Sequence, residues 1–166
     1  MTIYSVGYGN RGFEAFLALL RQYKFTHLVD VRAVPQSSYW EDFRRERLSH
    51  LLNSTEIKYV YMGDTLGGVF ESPVLCKDPF SVDIEPLRLE ERLHLGVSKV
   101  MRAAGDPNRR IVLMCGCLRP HRCHRSRLLG PALIERGVEY LHVLDEQTVH
   151  TQAEIEALAE PQASLF

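Results

Sequence analysis

Residues 111–126 read IVLMCGCLRPHRCHRS, and this stretch decides the fold class of the chain. Its first four residues, Ile111–Met114, are all apolar, as is typical of a short strand that is buried on both faces of a sheet. Cys115 ends that strand, and a polar loop follows it as far as Ser126. Apolar residues at helical spacing begin again at Leu128. The stretch therefore predicts a strand, a cysteine-containing loop and a helix in direct succession.

The rest of the chain repeats this alternation of strands and helices. Further strands are predicted at Thr2–Val6, His27–Val31, Ile57–Tyr61 and Glu139–Leu144. Apolar residues recur at helical spacing from Phe13 onward, around Leu48, and from Leu89 onward. Strands that alternate with helices predict a single α/β domain over residues 1–166, with helices on both sides of a mostly parallel five-stranded sheet.

Two segments depart from the simple alternation. Residues 62–85 form a long connection that is rich in glycine and proline. Connections of this length in a compact domain are usually functional or poorly ordered, so we expect an insertion or a lid-like loop there. Near the other end, Thr151-Gln-Ala-Glu154 has the pattern of a capping box and predicts a short C-terminal helix at about 151–160.

Composition and charge exclude several classes of protein. The 166 residues (19.0 kDa) are 45% hydrophobic and 25% charged, which excludes a disordered or fibrous chain. No apolar run approaches the roughly 18 residues that cross a bilayer, and the first residues lack the pattern of a secretion signal. We therefore expect a cytoplasmic protein that binds no membrane. The net charge of −1 removes general basicity as an argument for nucleic-acid binding but is compatible with a local basic patch.

Basic residues are concentrated around the cysteine loop. Between Pro107 and Ile134 the sequence holds six arginines, three of the four cysteines, and no Asp or Glu. Arginine presents a planar fork that matches phosphates and carboxylates, and a helix N-terminus adds unpaired N–H groups. The same positive surroundings lower the pKa of a thiol and make it nucleophilic. We therefore expect a pocket that binds a small anionic substrate beside a reactive cysteine, where the parallel strands end.

The strand ends supply a defined set of candidate residues. Cys115 is the first choice for the nucleophile, Cys117 is its rival, and Arg125 lies with them as an anion-binding residue. The candidate substrate-binding residues are Gly7, Tyr8, Arg11, Asp30, Arg32, Gly67, Arg122, Cys123, His124 and Ser126. Because Asp30 and Arg32 are two residues apart on one strand, we expect their side chains on the same face, as an ion pair.

Three functions stay open at this point. The first is thiol-based transfer of sulfur or another group, and an ordinary place in the core is the competing interpretation of Cys115. The second is a non-catalytic module that binds a nucleotide or nucleic acid through the arginines. The third is a metal or redox site formed by the cysteines, His121 and His124, in which a disulfide between Cys115 and Cys117 would be strained. The spacing of these donors matches no common zinc motif, so we expect no cofactor.

Four blocks of the sequence resemble a known family. They are Tyr4-Ser-Val-Gly-Tyr-Gly-Asn-Arg11, Leu28-Val-Asp-Val-Arg-Ala-Val-Pro35, Leu66-Gly-Gly68, and the segment from Cys115 to Cys123-His-Arg-Ser126. In this order they resemble the domain of unknown function family 488, from Thr2 to about Leu144. The resemblance assigns no activity. Members usually carry an acidic residue where this chain has Cys117, which favours a thiol or metal role at that position here.

A more distant resemblance is to the rhodanese-like sulfurtransferases. Their Asp-Val-Arg strand and their strand–Cys–loop–Arg-Ser–helix unit are similar to Asp30–Arg32 and Cys115–Ser126. This resemblance implies a Rossmann-like or rhodanese-like three-layer sandwich, with Cys115 as the persulfide-carrying residue and Arg125 stabilising the transferred group. The loop is longer here than in that class, and a six-residue loop register would begin at Cys117.

Overall fold

The computed structural model describes residues 1–37, 39–68 and 83–159. Its strands are β1 (Thr2–Gly7), β2 (His27–Asp30), β3 (Lys58–Tyr61), β4 (Ile111–Cys115), β5 (Glu139–Val143) and β6 (Val149–Thr151). They form one sheet in the order β3-β2-β4-β1-β5-β6, parallel from β3 through β5. The predicted α/β class and mostly parallel sheet are confirmed.

The predicted count of five strands is corrected by a sixth, β6. This strand has three residues and pairs antiparallel with β5. It is too short to show an alternating pattern, and its position depends on the turn before it, where the Leu144 N–H donates to the Thr148 carbonyl at 3.0 Å. The sequence therefore contains no alternating pattern from which this strand could be predicted.

The described helices are α1 (Phe13–Gln22), α2 (Arg45–Leu52), α3 (Gly63–Leu66), α4 (Glu85–Arg88), α5 (Glu91–Ala104), α6 (Gly130–Ile134) and α7 (Gln152–Ala159). Four of them, α1, α2, α5 and α6, match the apolar repeats of the sequence, whereas α3 and α4 lie at the two ends of the connection at 62–85. Short 3-10 turns lie at Glu41–Phe43 and Pro120–Arg122, and a π-helical turn lies at Arg125–Leu129. None of the helices described in these ranges is long and apolar enough to cross a membrane.

The capping box that the sequence predicted is present at the start of α7. The Thr151 hydroxyl donates to Glu154 Oε2 at 2.9 Å, the Thr151 N–H donates to the same oxygen at 2.7 Å, and the Glu154 N–H donates to the Thr151 hydroxyl at 3.3 Å. The predicted helix at about 151–160 begins at Gln152, and residues 160–166 lie outside the described residues.

Strand β4 separates the two layers of the core. Its residues Ile111, Leu113 and Cys115 pack into one cluster with helices α5 and α6, whereas Val112 and Met114 pack into a second cluster with α1 and α2. All five residues are buried, as expected for a central strand covered on both faces. The end of β4 is consequently enclosed by structure from both layers.

The structure describes only the two ends of the long connection at 62–85. Helix α3 lies at its start and α4 at its end. Residues 69–82, which include Cys76, lie outside the described residues. The predicted insertion or lid-like loop therefore stays a prediction.

A chain of buried hydrogen bonds links β1, β5 and α7. Ser5 and His142 are register partners, and the Ser5 hydroxyl donates to His142 Nδ1 at 2.6 Å. His142 Nε2 donates to Gln152 Oε1 at 2.8 Å, and Gln152 Nε2 donates to the Ser126 carbonyl at 3.0 Å. Burial of the ring lowers the pKa of His142 to about 4. His142 is therefore neutral in the folded protein at pH 7.

The neutral state of His142 predicts a loss of stability on mild acidification. Below its ordinary pKa of about 6.5 the ring takes up a proton in the unfolded chain, whereas in the folded chain it does so only near its pKa of about 4. The stability from this site is therefore present above pH 6.5 and is lost as the pH falls towards 4, by about 2 kcal/mol between pH 7 and pH 5.

Urea denaturation of the wild type and of His142→Gln at both pH values measures this effect. The pH dependence of the free energy of unfolding should be smaller in His142→Gln, because glutamine does not titrate. An equal pH dependence in the two proteins would assign the effect to another group.

Candidate functional site

Two thiols and one imidazole converge where β4 ends. Cys115 is the last residue of β4, Cys123 follows the 3-10 turn at Pro120–Arg122, and His124 precedes the π-helical turn. His124 Nδ1 lies 3.9 Å from Cys115 Sγ and 3.7 Å from Cys123 Sγ, and all three atoms lie within 4.8 Å of one another. We call these residues the thiol–imidazole cluster. All three are buried, at 3%, 1% and 4% exposure for Cys115, Cys123 and His124.

The backbone of β2 orients the imidazole of this cluster. His124 Nε2 lies 3.0 Å from the carbonyl oxygen of Val31, which directly follows β2. A carbonyl only accepts hydrogen bonds, so Nε2 carries the proton and Nδ1 presents its lone pair to the sulfurs. Val31 is itself held in place, because its N–H donates to the Met114 carbonyl at 3.0 Å. The orientation of His124 is therefore set by the sheet.

A buried guanidinium lies beside the sulfurs. Arg125 is 1% exposed, and its Nε donates to Cys123 Sγ at 3.4 Å. Its two terminal nitrogens donate to the Ser5 hydroxyl, at 3.4 Å, and to the Cys117 carbonyl. Burial opposes the charge of Arg125, but the negative character of Cys123 and Cys115 outweighs this effect, so the pKa of Arg125 lies above its ordinary value.

The two buried thiols have opposite pKa shifts. The hydrogen bond with Cys123, together with burial, raises the pKa of Cys115 well above its ordinary value. Burial also opposes ionisation of Cys123, but the hydrogen bond with Cys115 and the charge of Arg125 outweigh it, so the pKa of Cys123 lies well below its ordinary value. Cys123 is therefore the more acidic thiol of the two, and its sulfur is the one that the Arg125 guanidinium contacts.

The predicted ion pair of Asp30 and Arg32 is confirmed at the end of β2. Arg32 donates to Asp30 at 2.8 Å from Nε and at 2.6 Å from a terminal nitrogen, and both side chains are buried. Burial opposes the charge of Arg32, but the hydrogen bonds and charge of Asp30 raise its pKa above the ordinary value. The Tyr59 hydroxyl also donates to Asp30, at 2.7 Å. A terminal nitrogen of Arg32 donates to the Tyr8 hydroxyl at 3.4 Å.

The structure brings some of the predicted site residues together. Gly7, Cys117 and Arg125 meet at one point, because the Arg125 guanidinium and the Cys117 carbonyl lie directly beside the Cα of Gly7. Cys117 Sγ lies 4.0 Å from Cys115 Sγ, and the Cys115 thiol is free, so these two residues form no disulfide. Tyr8 stacks on Phe43 at 4.0 Å within the core.

Other predicted residues have different roles in the described structure. Arg11 donates to the carbonyls of Gly7 and Leu144, and Ser126 accepts a hydrogen bond from Gln152 Nε2 at 3.2 Å. Gly67 packs against Ala33, and Arg122 is exposed. Arg11, Arg32 and Arg125 each use their donors within the fold. The anion-binding pocket therefore stays a prediction, and the burial of Cys115 counts against its role as the nucleophile.

Four residues that contact the predicted site residues were not predicted from the sequence. Tyr59 reaches Asp30, and Ser5, His142 and Gln152 form the hydrogen-bonded chain that ends at Arg125 and Ser126. One signal was present in the sequence: Ser5 and His142 are polar residues next to apolar ones in the predicted strands. Polar residues that are buried require partners, and neighbouring strands are the first place to look for them.

These features define a class of protein: an α/β domain whose mostly parallel sheet ends in a buried cluster of thiols, imidazole and guanidinium. The chain matches, over residues 12–130, the family described as Domain of unknown function DUF488. Because the match spans more than half of the sequence, the chain belongs to this family. No curated protein and no solved structure matches it. The family expected from the four sequence blocks is thus confirmed, whereas the rhodanese-like resemblance stays a prediction.

The close approach at Gly7 predicts that a methyl group there is not tolerated. A Cβ at this position would lie 1.9 Å from the Cys117 carbonyl oxygen and 2.9 Å from an Arg125 nitrogen, whereas a Cβ at Gly12 would lie 3.7 Å from Trp40. We expect Gly7→Ala to lower the free energy of unfolding by about 2 kcal/mol or more, because backbone and a buried charge must move.

Gly12→Ala is the control, and we expect it to lower stability by no more than about 1 kcal/mol, because Gly12 is the N-cap of α1 and a Cβ there meets no close neighbour. Urea denaturation of both variants measures the difference. Equal effects of the two substitutions would contradict the tight contact between Gly7 and the cysteine loop.

Proposed function

We propose that this domain binds a zinc ion through Cys115, Cys123 and His124. The observation that carries the proposal is the convergence of two sulfurs and one ring nitrogen within 4.8 Å of one another. Thiolate and imidazole are the donors that zinc prefers in proteins. The proposal departs from the expectation of no cofactor, which rested on sequence spacing alone.

The distances between the donors suit a tetrahedral ion. Zn–S and Zn–N bonds of about 2.3 and 2.0 Å place neighbouring donors about 3.5 to 3.8 Å apart. The two nitrogen–sulfur distances of 3.7 and 3.9 Å differ from this spacing by a few tenths of an ångström. Small side-chain movements would therefore complete the coordination of the three donors, and a water molecule or a further donor would supply the fourth position.

The surroundings of His124 also support the proposal. Ligating histidines commonly donate their other ring N–H to a carbonyl or carboxylate, which holds the ring and its tautomer in place. The hydrogen bond from His124 Nε2 to the Val31 carbonyl has this form. The ring is consequently ready to offer Nδ1 to an ion without reorientation.

The position of the cluster suggests a structural role for the ion. Cys115 belongs to the end of β4, while Cys123 and His124 lie at the start of the following helical segment. An ion bound to all three would join the two ends of the loop at 116–122. That loop carries the exposed side chains of Arg119 and Arg122, so the ion would hold these cations at the surface.

Metal content measured on protein purified without chelator tests the proposal. We expect about one zinc ion per chain in the wild type, and less than about a tenth of that in Cys123→Ser and His124→Gln, because each variant removes one of three donors. His121→Gln is the matched control: His121 lies on the same loop but outside the cluster, and its zinc content should equal that of the wild type.

Substitution with cobalt(II) provides a second readout for the same variants. A thiolate-to-cobalt charge-transfer band is expected in the wild type and in His121→Gln, and it should weaken in Cys123→Ser. Circular dichroism shows whether each variant is folded. A folded wild type with neither zinc nor the cobalt band would overturn the proposal.

A second candidate function, thiol-based transfer of sulfur or another group, is favoured by one observation. Arg125 Nε donates to Cys123 Sγ at 3.4 Å, so a buried cation faces this sulfur. In this function Cys123 would replace Cys115 as the nucleophile, and the small anionic substrate expected from the sequence would bind beside it. Rapid alkylation of Cys123 in metal-free protein, compared with Cys115 by mass spectrometry, would support it. Slow alkylation of both thiols would exclude it.

A further inference from the structure

A groove with basic walls lies beside β3 on the α5 side of the sheet, where residues of β2 and β4 also line it, and it includes no residue of the thiol–imidazole cluster. We call it the edge groove. Its volume is about 690 Å³, and it lies between β3 and the facing side of α5. Four of its lining residues are cationic: Lys58, Lys99, Arg102 and Arg109. The apolar residues that line it include Val60 and Ala103. The groove therefore combines positive charge with apolar surface.

The edge strand β3 borders this groove on one side. β3 is the first strand of the sheet and pairs only with β2 among the described strands. The N–H groups of Lys58 and Met62 donate to carbonyls on the β2 side, at 2.9 Å each. Because backbone groups alternate in direction along a strand, the N–H and C=O groups of Tyr59 and Tyr61 point away from β2. They offer an added strand its hydrogen bonds.

The positive charge of the groove is largely unbalanced. Within residues 1–37, 39–68 and 83–159, Lys58, Lys99 and Arg102 take part in no ion pair. Asp64 is the acidic residue among those that line the groove. The pKa of His27 lies below its ordinary value, first because the ring is partly buried and then because Arg109 and Lys58 repel its protonated form. A ligand with several negative charges would relieve this repulsion.

The aromatic residues of β3 disfavour a nucleic acid in the groove. Single-stranded nucleic acids bind by stacking bases on exposed rings. The Tyr59 hydroxyl donates to buried Asp30 at 2.7 Å, and the Tyr61 hydroxyl donates to the Ala33 carbonyl at 3.2 Å, so both rings are held by the fold. The guanidinium of Arg45 also covers the Tyr61 ring, 3.8 Å from its centroid. The groove thus offers a strand edge rather than a stacking surface.

From these observations we infer that the edge groove binds an extended acidic peptide segment of a partner protein, which pairs with β3 as an added strand. Backbone hydrogen bonds to Tyr59 and Tyr61 would supply the pairing, as in other complexes formed by strand addition. Acidic side chains on the face towards α5 would meet Lys58, Lys99 and Arg102. This interaction does not depend on a metal ion in the thiol–imidazole cluster.

Fluorescence anisotropy with designed peptides tests this inference on the full chain. The probe is a fluorescein-labelled octapeptide of alternating Glu and Val, which places every carboxylate on one face of an extended strand. We expect it to bind, and the same-length peptide of alternating Lys and Val to show no binding. The affinity should fall with added salt, because exposed charges supply part of it.

Two backbone-methylated probes separate strand pairing from simple charge attraction. In one probe the Glu nitrogens are methylated, and in the other the Val nitrogens, so each removes the N–H groups from one edge of the peptide. One probe should bind like the parent, and the other should bind at least about tenfold more weakly, because one edge alone faces β3. Equal affinities of the two probes would overturn strand addition.

Charge-reversal variants locate the site. Lys99→Glu combined with Arg102→Glu should raise the Kd of the Glu-Val peptide at least about tenfold. Lys24→Glu, an exposed position outside the groove, is the matched control and should change the Kd by less than about twofold. Thermal melts confirm that the variants are folded. An unchanged Kd in the double variant, or tighter binding of an eight-residue oligothymidylate than of the peptide, would overturn the inference.

Discussion

The arrangement of the residues at the end of β4 depends on one constraint, which is the positive charge of a buried arginine. The Arg125 guanidinium is 1% exposed, and a buried charge costs several kcal/mol unless other groups compensate it. Its compensating partners come from different parts of the chain: Cys123 Sγ and the Cys117 carbonyl in the loop, and the Ser5 hydroxyl on β1. Ser5 is bound in turn to His142 on β5. The cysteine loop is therefore held against the sheet by electrostatics and hydrogen bonding in addition to apolar packing.

Metal binding and thiol catalysis make different demands on burial. A nucleophilic cysteine must meet its substrate, whereas a ligand only has to face its ion. Cys115 and Cys123 are buried among the residues that pack on α5 and α6, and His124 is anchored to the Val31 carbonyl. This arrangement suits an enclosed ion better than an open reaction site. Arg125 beside Cys123 is the feature that favours thiol chemistry, because a cation stabilises a thiolate with or without a metal.

The sheet gives the domain two polar regions with different physical origins. The carboxyl ends of β1, β2 and β4 bring Gly7, Asp30 and Cys115 close together, as parallel strands generally do at one edge of a sheet. The groove lies instead beside β3, which among the described strands has a neighbour on one side only. The outward backbone groups of β3, which pair with none of the described strands, and the cations of α5 make a surface whose chemistry is independent of the buried cluster.

Local patterns in the sequence were sufficient to predict most of the strands and helices and one contact of the candidate site. The apolar run at Ile111–Met114, the helical repeats and the Thr151–Glu154 capping box describe interactions between residues close in the chain, and their spacing is visible in the sequence. The Asp30–Arg32 ion pair was predictable for the same reason, since alternation places both side chains on one face. The strand β6, the contact of His124 with Val31, and the burial of Cys115 and Arg125 were decided by tertiary structure. Each depends on segments distant in the chain, and periodicity carries no information about which distant groups will meet or how deeply they will be buried.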